Sequence, residues 1–252
     1  PEVVIDAAAK VGGIWANNQY PYEFLMDNMQ IQNNLISNSL KTDIKKFIFL
    51  GSSCIYPKMA LQPLKEEYLL SGPLEPTNQW YAIAKISGVK LIEAIRTQFK
   101  KDYVALMPTN LYGPGDNYDL ETSHVLPAML RKFHEAKENN HVPVTLWGSG
   151  TPLREFLYVD DLAEAVVFSM ENTLKESFYN VGSGEEITIK ELALLIQEIV
   201  SHNGKIIWDS TKPNGTPRKK LDSSILNILG WRPEIKLIDG IRSTYEFFLT
   251  QL

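Results

Sequence analysis

The sequence predicts an α/β protein: a doubly wound parallel sheet followed by a smaller mixed α/β domain. Three observations lead there. The apolar runs Phe47-Ile48-Phe49-Leu50 and Val104-Ala105-Leu106-Met107 lack the alternation of a half-exposed strand and fit strands buried on both faces. Between them, Ile86, Val89, Ile92, Ile95 and Phe99 recur at helical spacing, the strand–helix–strand order of a βαβ unit. After Pro108, Gly113, Pro114 and Gly115 the regular alternation stops, which marks the passage into a second domain.

Element by element, Tyr22 to Leu40 places Leu25, Met29, Gln32 and Ile36 on one helical face, and the strand 47–50 follows. The helix 81–99 and the strand 104–107 come next. Ser123 to Glu138 reads as a helix carrying Arg131 and Lys132, Val142 to Trp147 as a strand, and Phe178 to Gly182 as another. Thr188 with Glu191 three positions on is a capping box that starts a helix from Ile189 to Ser201. Lys205 to Asp209 is a strand, Lys212 to Lys220 a loop, and Ile238 to Thr250 the closing helix.

The chain has 252 residues, 44% of them hydrophobic, enough to bury a substantial core in one or two closely packed domains. A formal net charge of −5 argues against a nucleic-acid or anionic-membrane surface, so an anionic ligand has to be held by local Arg and Lys. No stretch reaches membrane-spanning length. A single cysteine permits no internal disulfide and suits a reducing, cytoplasmic setting.

The chemistry concentrates in two segments. Gly51-Ser52-Ser53-Cys54-Ile55-Tyr56-Pro57 follows the first buried strand, which puts Ser52 at a carboxyl end of a parallel sheet, where ligands bind. Tyr81-Ala82-Ile83-Ala84-Lys85 sets a phenol and an ammonium one helical turn apart on the same face. The ammonium is expected to lower the phenol's pKa and make Tyr81 an acid/base near neutral pH. Alone, Tyr-x-x-x-Lys recurs by chance. After a Ser-bearing strand end and at the start of an apolar-striped helix it carries weight. Thiol and imidazole have ordinary pKa values of about 8.5 and 6.5, so Cys54 and His124 could each occupy both protonation states near pH 7. By residue type alone they read first as a small buried hydrophobe and a helix-start hydrogen bonder.

Taken with Ala7-Ala8-Ala9-Lys10-Val11-Gly12-Gly13-Ile14, Glu75-Pro76-Thr77-Asn78, Pro108-Thr109-Asn110-Leu111-Tyr112-Gly113-Pro114, Ser123-His124-Val125, Trp147-Gly148-Ser149-Gly150, Arg154-Glu155-Phe156 and Gly215-Thr216-Pro217-Arg218-Lys219, these segments resemble the extended short-chain dehydrogenase/reductase family of nucleotide-sugar enzymes over almost the whole chain. The thiol after the serines and the Ser-His-Val segment resemble its epimerase/reductase subgroup. The resemblance implies a Rossmann-like sheet, with residues 1–112 the remainder of an NADP-binding domain. Residues 113–252 are then mainly a substrate-binding cap that returns to the sheet near 156–182. It implies NADPH as cofactor, no metal, GDP-4-keto-6-deoxy-D-mannose as substrate, and a homodimer through helices 22–40 and 81–99.

The same resemblance gives Ser52 a hydrogen bond to the sugar C4 oxygen, Tyr81 the proton for it, and Lys85 the nicotinamide ribose. Cys54 and His124 would move protons at C3 and C5. Leu50, Gly51, Ser52, Ser53, Tyr81, Lys85, Pro108, Thr109, Asn110, Leu111 and His124 would contact the cofactor. Lys132, Trp147, Arg154 and Asn214 would hold the GDP-sugar, with Arg131, Lys212 and Arg218 further candidates for its diphosphate. Asn214 stands where the family commonly has aspartate, which removes a charged acceptor.

Family members carry a Gly-x-x-Gly-x-x-Gly turn for the pyrophosphate, and this chain has none. Its opening resembles the family's fourth strand, so a longer protein with about two further βα units of roughly 30 residues each is expected. Two other readings stay open. One is 4-epimerisation or 4,6-dehydration of another nucleotide-sugar, the latter opposed by Ser53-Cys54 where dehydratases usually carry Asp-Glu. The other is a shortened chain that binds a nucleotide-sugar or a partner without catalysis.

Overall fold

The computed structural model describes residues 1–212 and 214–252. Pro213, in the loop expected between Lys212 and Lys220, lies outside the described residues. The first half runs β1 (Val3–Asp6), α1 (Ile14–Gln19), α2 (Pro21–Lys41), β2 (Lys46–Leu50), α3 (Gln79–Phe99), β3 (Asp102–Pro108) and β4 (Asn110–Tyr112). The second continues with α4 (Val125–Glu138), β5 (Val144–Trp147), β6 (Leu153–Tyr158), α5 (Val159–Glu171), β7 (Phe178–Val181), β8 (Glu186–Thr188), α6 (Ile189–Val200), β9 (Ile206–Asp209), β10 (Arg218–Lys219), α7 (Ser224–Leu229) and α8 (Leu237–Leu249).

The unbroken apolar runs are explained by a parallel sheet of order β1-β2-β3-β7 that is covered on both faces. Phe47, Phe49, Tyr103, Ala105 and Met107 pack toward α2 and α3, against Ile36, Val89 and Ile92. The alternate residues Ile48, Val104 and Leu106 pack against Leu162, Ala165 and Val166 of α5. Asp6 pairs with Phe49, Leu50 with Leu106 and Pro108 with Val181, so the carboxyl ends finish along one edge.

α2 corrects the expected stripe. Its buried face is Phe24, Asn28, Gln32, Ile36 and Ser39 rather than Leu25 and Met29, because two amides are used as connectors. The Asn28 side chain accepts from Lys10 N (2.9 Å) and donates to Lys10 O (3.0 Å), while Gln32 donates to Ala84 O (2.7 Å) and Ser87 Oγ (2.8 Å). The helix therefore tethers both the loop after β1 and α3. α3 follows its predicted stripe except at Phe99, which is half exposed at the helix end.

A second core gathers Leu126, Leu130 and Phe133 of α4, Leu192 and Ile196 of α6, and Ile241 and Phe248 of α8. They enclose the small β5–β9 pair and the sheet β10-β6-β4, to which β8 adds antiparallel. The capping box forms as read: Glu191 N donates to Thr188 Oγ1 (3.1 Å) and Thr188 N to Glu191 Oε2 (2.9 Å). β6 and α5 lie outside the elements expected above; in β6 the charged Arg154 and Glu155 interrupt the apolar run. Among the described residues no helix is long and apolar enough to cross a membrane.

Lys46, buried at the start of β2, joins the sheet to the end of α5. Its ammonium donates to Ser169 O (2.7 Å), Met170 O (3.1 Å) and Asn172 O (2.7 Å) and pairs with Asp102 at 3.0 Å. A cation at a helix C-terminus satisfies carbonyls that have no intrahelical donor. Lys46→Met leaves those carbonyls without their donor and Asp102 with only Arg96, 3.7 Å away, and is expected to cost about 3 kcal/mol, read as a lower midpoint in urea denaturation.

Candidate active site

The loops beyond the carboxyl ends of β2 and β3 face α4, β5 and β10 across a cleft of about 450 Å³. Gly51 closes the end of β2 tightly: its amide donates to Leu106 O at 2.9 Å, and a Cβ there would overlap the Met107 side chain. Ser52 follows in extended conformation and caps the short 3₁₀ turn 53–55. Its Oγ accepts from Cys54 N at 3.2 Å and donates to Cys54 Sγ at 3.2 Å. Asn78 Nδ2 (3.4 Å) and Lys219 Nζ (3.7 Å) also point at the sulfur, which thus sits among three donors, one of them cationic.

Tyr81 lies in the first turn of α3 with its ring edge-on to Phe24. The expectation that Lys85 lowers its pKa is not met. Burial pushes the phenol well above its ordinary value, charge on Cys54 adds to this, and only the Ser52 hydroxyl pulls the other way. Among the described residues the Lys85 ammonium makes no hydrogen bond to the phenol oxygen. It donates to Leu50 O at 2.8 Å and lies 4.6 Å from the centroid of Phe49 and 5.8 Å from that of Tyr81. Tyr81 is held protonated, as a donor, and burial lowers Lys85 itself to about 8.

His124 is the N-cap residue of α4. Burial first, and the Lys219 ammonium second, push its imidazole below the ordinary value, so it is neutral at pH 7. Thiol, imidazole and phenol line the same cleft. Pro108, Thr109, Asn110 and Leu111 form another wall, pinned where Thr109 Oγ1 (3.2 Å) and Asn110 Nδ2 (2.7 Å) donate to Glu155 O. Ser53 also lines the cleft, whereas Leu50 and Lys85 stand one layer behind it.

On the opposite side Lys132, Trp147, Arg154 and Asn214 reach the cleft. Arg154 is lowered to about 10 by burial and stays charged at neutral pH, donating to Leu153 O at 2.8 Å. Lys212 lies 5.4 Å from the centroid of the Trp147 ring. Asn214 spends its amide oxygen on Ser149 N (2.8 Å) and Ser149 Oγ (3.1 Å), which leaves only its NH₂ to offer a ligand. Arg131 and Arg218 are engaged elsewhere, with Glu135 and in a two-pronged pair with Glu186, and neither lines the cleft.

Residue type alone does not point to Lys219, Asn78, Glu75, residues 11–15 or Asn17, all of which line the cleft. All but Trp15 and Asn17 belong to the motifs 7–14, 75–78 and 215–219, and nothing in local spacing connects Lys219 to a thiol 165 residues away. Three buried atoms of the cleft walls, Asn17 Oδ1, Asn78 Oδ1 and Ser123 Oγ, have no hydrogen-bond or ion-pair partner among the described residues. With the Ser52 and Tyr81 hydroxyls and the Lys85 ammonium behind them, these donors and acceptors fit a nicotinamide and its ribose. Since Lys219 depresses His124, Lys219→Met is expected to raise the His124 midpoint toward 6.5, read by NMR titration of the imidazole.

Residues 1–182 match the family described as the NAD dependent epimerase/dehydratase family. Over 99% of its length the chain is 59% identical to "Putative GDP-L-fucose synthase 2" of Arabidopsis thaliana, of which it covers 76%. Over 96% it is 53% identical to the "GDP-L-fucose synthase" of Escherichia coli strain K12, of which it covers 78%. Among solved structures, a GDP-L-fucose synthetase from Naegleria fowleri bound to NADP is 29% identical with a TM-score of 0.90, the match covering 100% of this chain and 78% of that one.

Proposed function

This chain belongs to the NAD dependent epimerase/dehydratase family, and on that premise we propose that it converts GDP-4-keto-6-deoxy-D-mannose to GDP-L-fucose by 3,5-epimerisation and NADPH-dependent 4-reduction. The observation that carries this reading is the convergence of the Cys54 thiol, the His124 imidazole and the Tyr81 phenol on one cleft. Reduction alone needs one proton donor. Epimerisation beside a ketone needs two further groups, one to remove a proton and one to return it on the other face.

In the first stage one of Cys54 and His124, in its basic form, takes the proton from C3 or C5, and the C–H electron pair moves onto the ketone oxygen as an enediolate. The other returns a proton from the opposite face, which inverts the centre. Asn78 and Lys219 hold the sulfur, and the buried, neutral His124 can accept a proton. NADPH, when bound, supplies the hydride for C4. Ser52 orients the C4 oxygen, and Tyr81, kept protonated by burial, delivers the proton that turns alkoxide into alcohol. Lys85 holds the ribose side from behind, and the strand-end loop 108–111 contacts the carboxamide. Arg154, Lys132 and Trp147 hold the GDP-sugar, with the NH₂ of Asn214 as a further donor. On this reading residues 1–112 serve the cofactor and most of 113–252 the substrate.

Cys54→Ser is expected to retain substrate binding and to stop solvent deuterium uptake at C3 or C5. Undiminished uptake would remove Cys54 from the mechanism. Tyr81→Phe is expected to keep the exchange and to lower turnover about 10²–10⁴-fold, followed as NADPH oxidation.

We also propose a cytoplasmic homodimer built on α2 and α3. Tyr22, Met26 and Leu35 of α2 and Trp80 and Ile83 of α3 are exposed apolar side chains on packed neighbouring helices. Sedimentation is expected to give a dimer, and Leu35→Glu with Ile83→Glu a monomer. A natural chain that sediments as a monomer would end this part of the proposal.

A further inference from the structure

Asp6 is a carboxyl buried at the sheet edge that carries the site, and no step above uses it. It is 1% exposed. Its Oδ1 accepts from Ala8 N at 3.2 Å, but Oδ2, shut off from water, has no hydrogen-bond partner among the described residues. A buried carboxylate oxygen in that state needs a positive charge nearby or its proton back.

Strand register says which charge it faces. In β1, Val4 pairs with Phe47 and Asp6 with Phe49, and Val4 packs into the same cluster as those two rings. Residues two apart share a face, so the Asp6 carboxyl points, like Phe49, toward α3. The Lys85 ammonium lies on that face, 4.6 Å from the centroid of Phe49. It is 3% exposed, and among the described residues it uses one of its three donors, on Leu50 O. The other titratable groups facing it are Cys54, from the turn after β2, and Tyr81, from its own helix. α2 contributes the amides of Asn28 and Gln32, which do not titrate.

We propose that Asp6 is the counter-ion of Lys85, a positioning residue behind the cleft whose carboxylate keeps the Lys85 ammonium charged and held at the strand edge. Burial favours the neutral form of each partner, and each opposes that effect on the other.

The test is an NMR titration of the lysine side chains of the full chain and of Asp6→Asn. The substitution preserves shape and removes charge. The Lys85 midpoint is expected to fall by about one pH unit, a roughly tenfold gain in neutral amine below the midpoint, with the Lys46 signal unmoved as the sign of an intact fold. An unmoved Lys85 midpoint beside a native Lys46 signal would overturn the pairing. If Asp6→Asn disturbs Lys46, Lys85→Met answers the question from the other side. The midpoint of labelled Asp6 carboxyl is then expected to rise, and an unchanged midpoint overturns the proposal. The consequence for catalysis rests on the ribose role proposed for Lys85, and predicts that the alkaline limb of the kcat profile moves down with the Lys85 midpoint. A shifted midpoint in a chain without reductase activity would sink the proposed reaction and leave the pairing standing.

Discussion

The buried carboxylate of Glu155 is the constraint on which both halves of the molecule depend. It is 0% exposed in the middle of β6, and its two oxygens accept from Gly184 N at 2.7 Å and Leu221 N at 2.8 Å. Burial pushes this carboxyl up, and those two amides are the largest effects favouring its charge. The backbone carbonyl of the same residue takes the side chains of Thr109 and Asn110. One residue thus ties together the loop after β3, the turn after β7 and the chain leaving β10. A Cβ at Gly182 would run into the carboxyl, so the turn after β7 must pass with glycine. Without the Glu155 carboxylate the turn after β7 and the chain leaving β10 would lose the acceptor they share.

That anchoring explains how a site can be assembled from parts so far apart in the chain. The Cys54 sulfur takes donors from its own turn, from the residue before α3 and from β10. The backbones that carry Asn78 and Lys219 are fixed without the thiol, by the Asn78 N bond to Glu75 O and by the pairing of β10 with β6, which is the preorganisation a proton-transfer site requires. Burial holds the His124 imidazole neutral, and the charge of the lysine that faces the sulfur adds to the effect.

Burial, rather than pairing with Lys85, sets the protonation state of Tyr81. Tyr81 and Lys85 are one turn apart, yet the ammonium turns to a backbone carbonyl and two ring faces, and the phenol is left in a low-dielectric wall. In such a setting the neutral phenol is the stable form. The site therefore presents an acid at rest, which suits proton delivery to an oxygen that is gaining charge.

Much of the sheet was legible in the residues. The runs 47–50 and 104–107, the spacing 86-89-92-95 and the Thr188–Glu191 box all report local rules that tertiary contacts did not override. The motif residues around Ser52, Tyr81 and His124 likewise marked segments that meet at one cleft. What local rules could not reach was the use of polar groups inside the protein. Asn28 and Gln32 occupy a buried helix face because backbone groups of other segments await them, and Glu155 interrupts β6 because distant amides do. The direction of the Tyr81 shift, the release of Arg131 and Arg218 from the cleft, and the approach of Lys219 to Cys54 were decided the same way. Periodicity and capping depend on neighbours within a turn or two of the chain. Desolvation and hydrogen-bond partners depend on everything the fold brings near, and those the folded arrangement alone supplies.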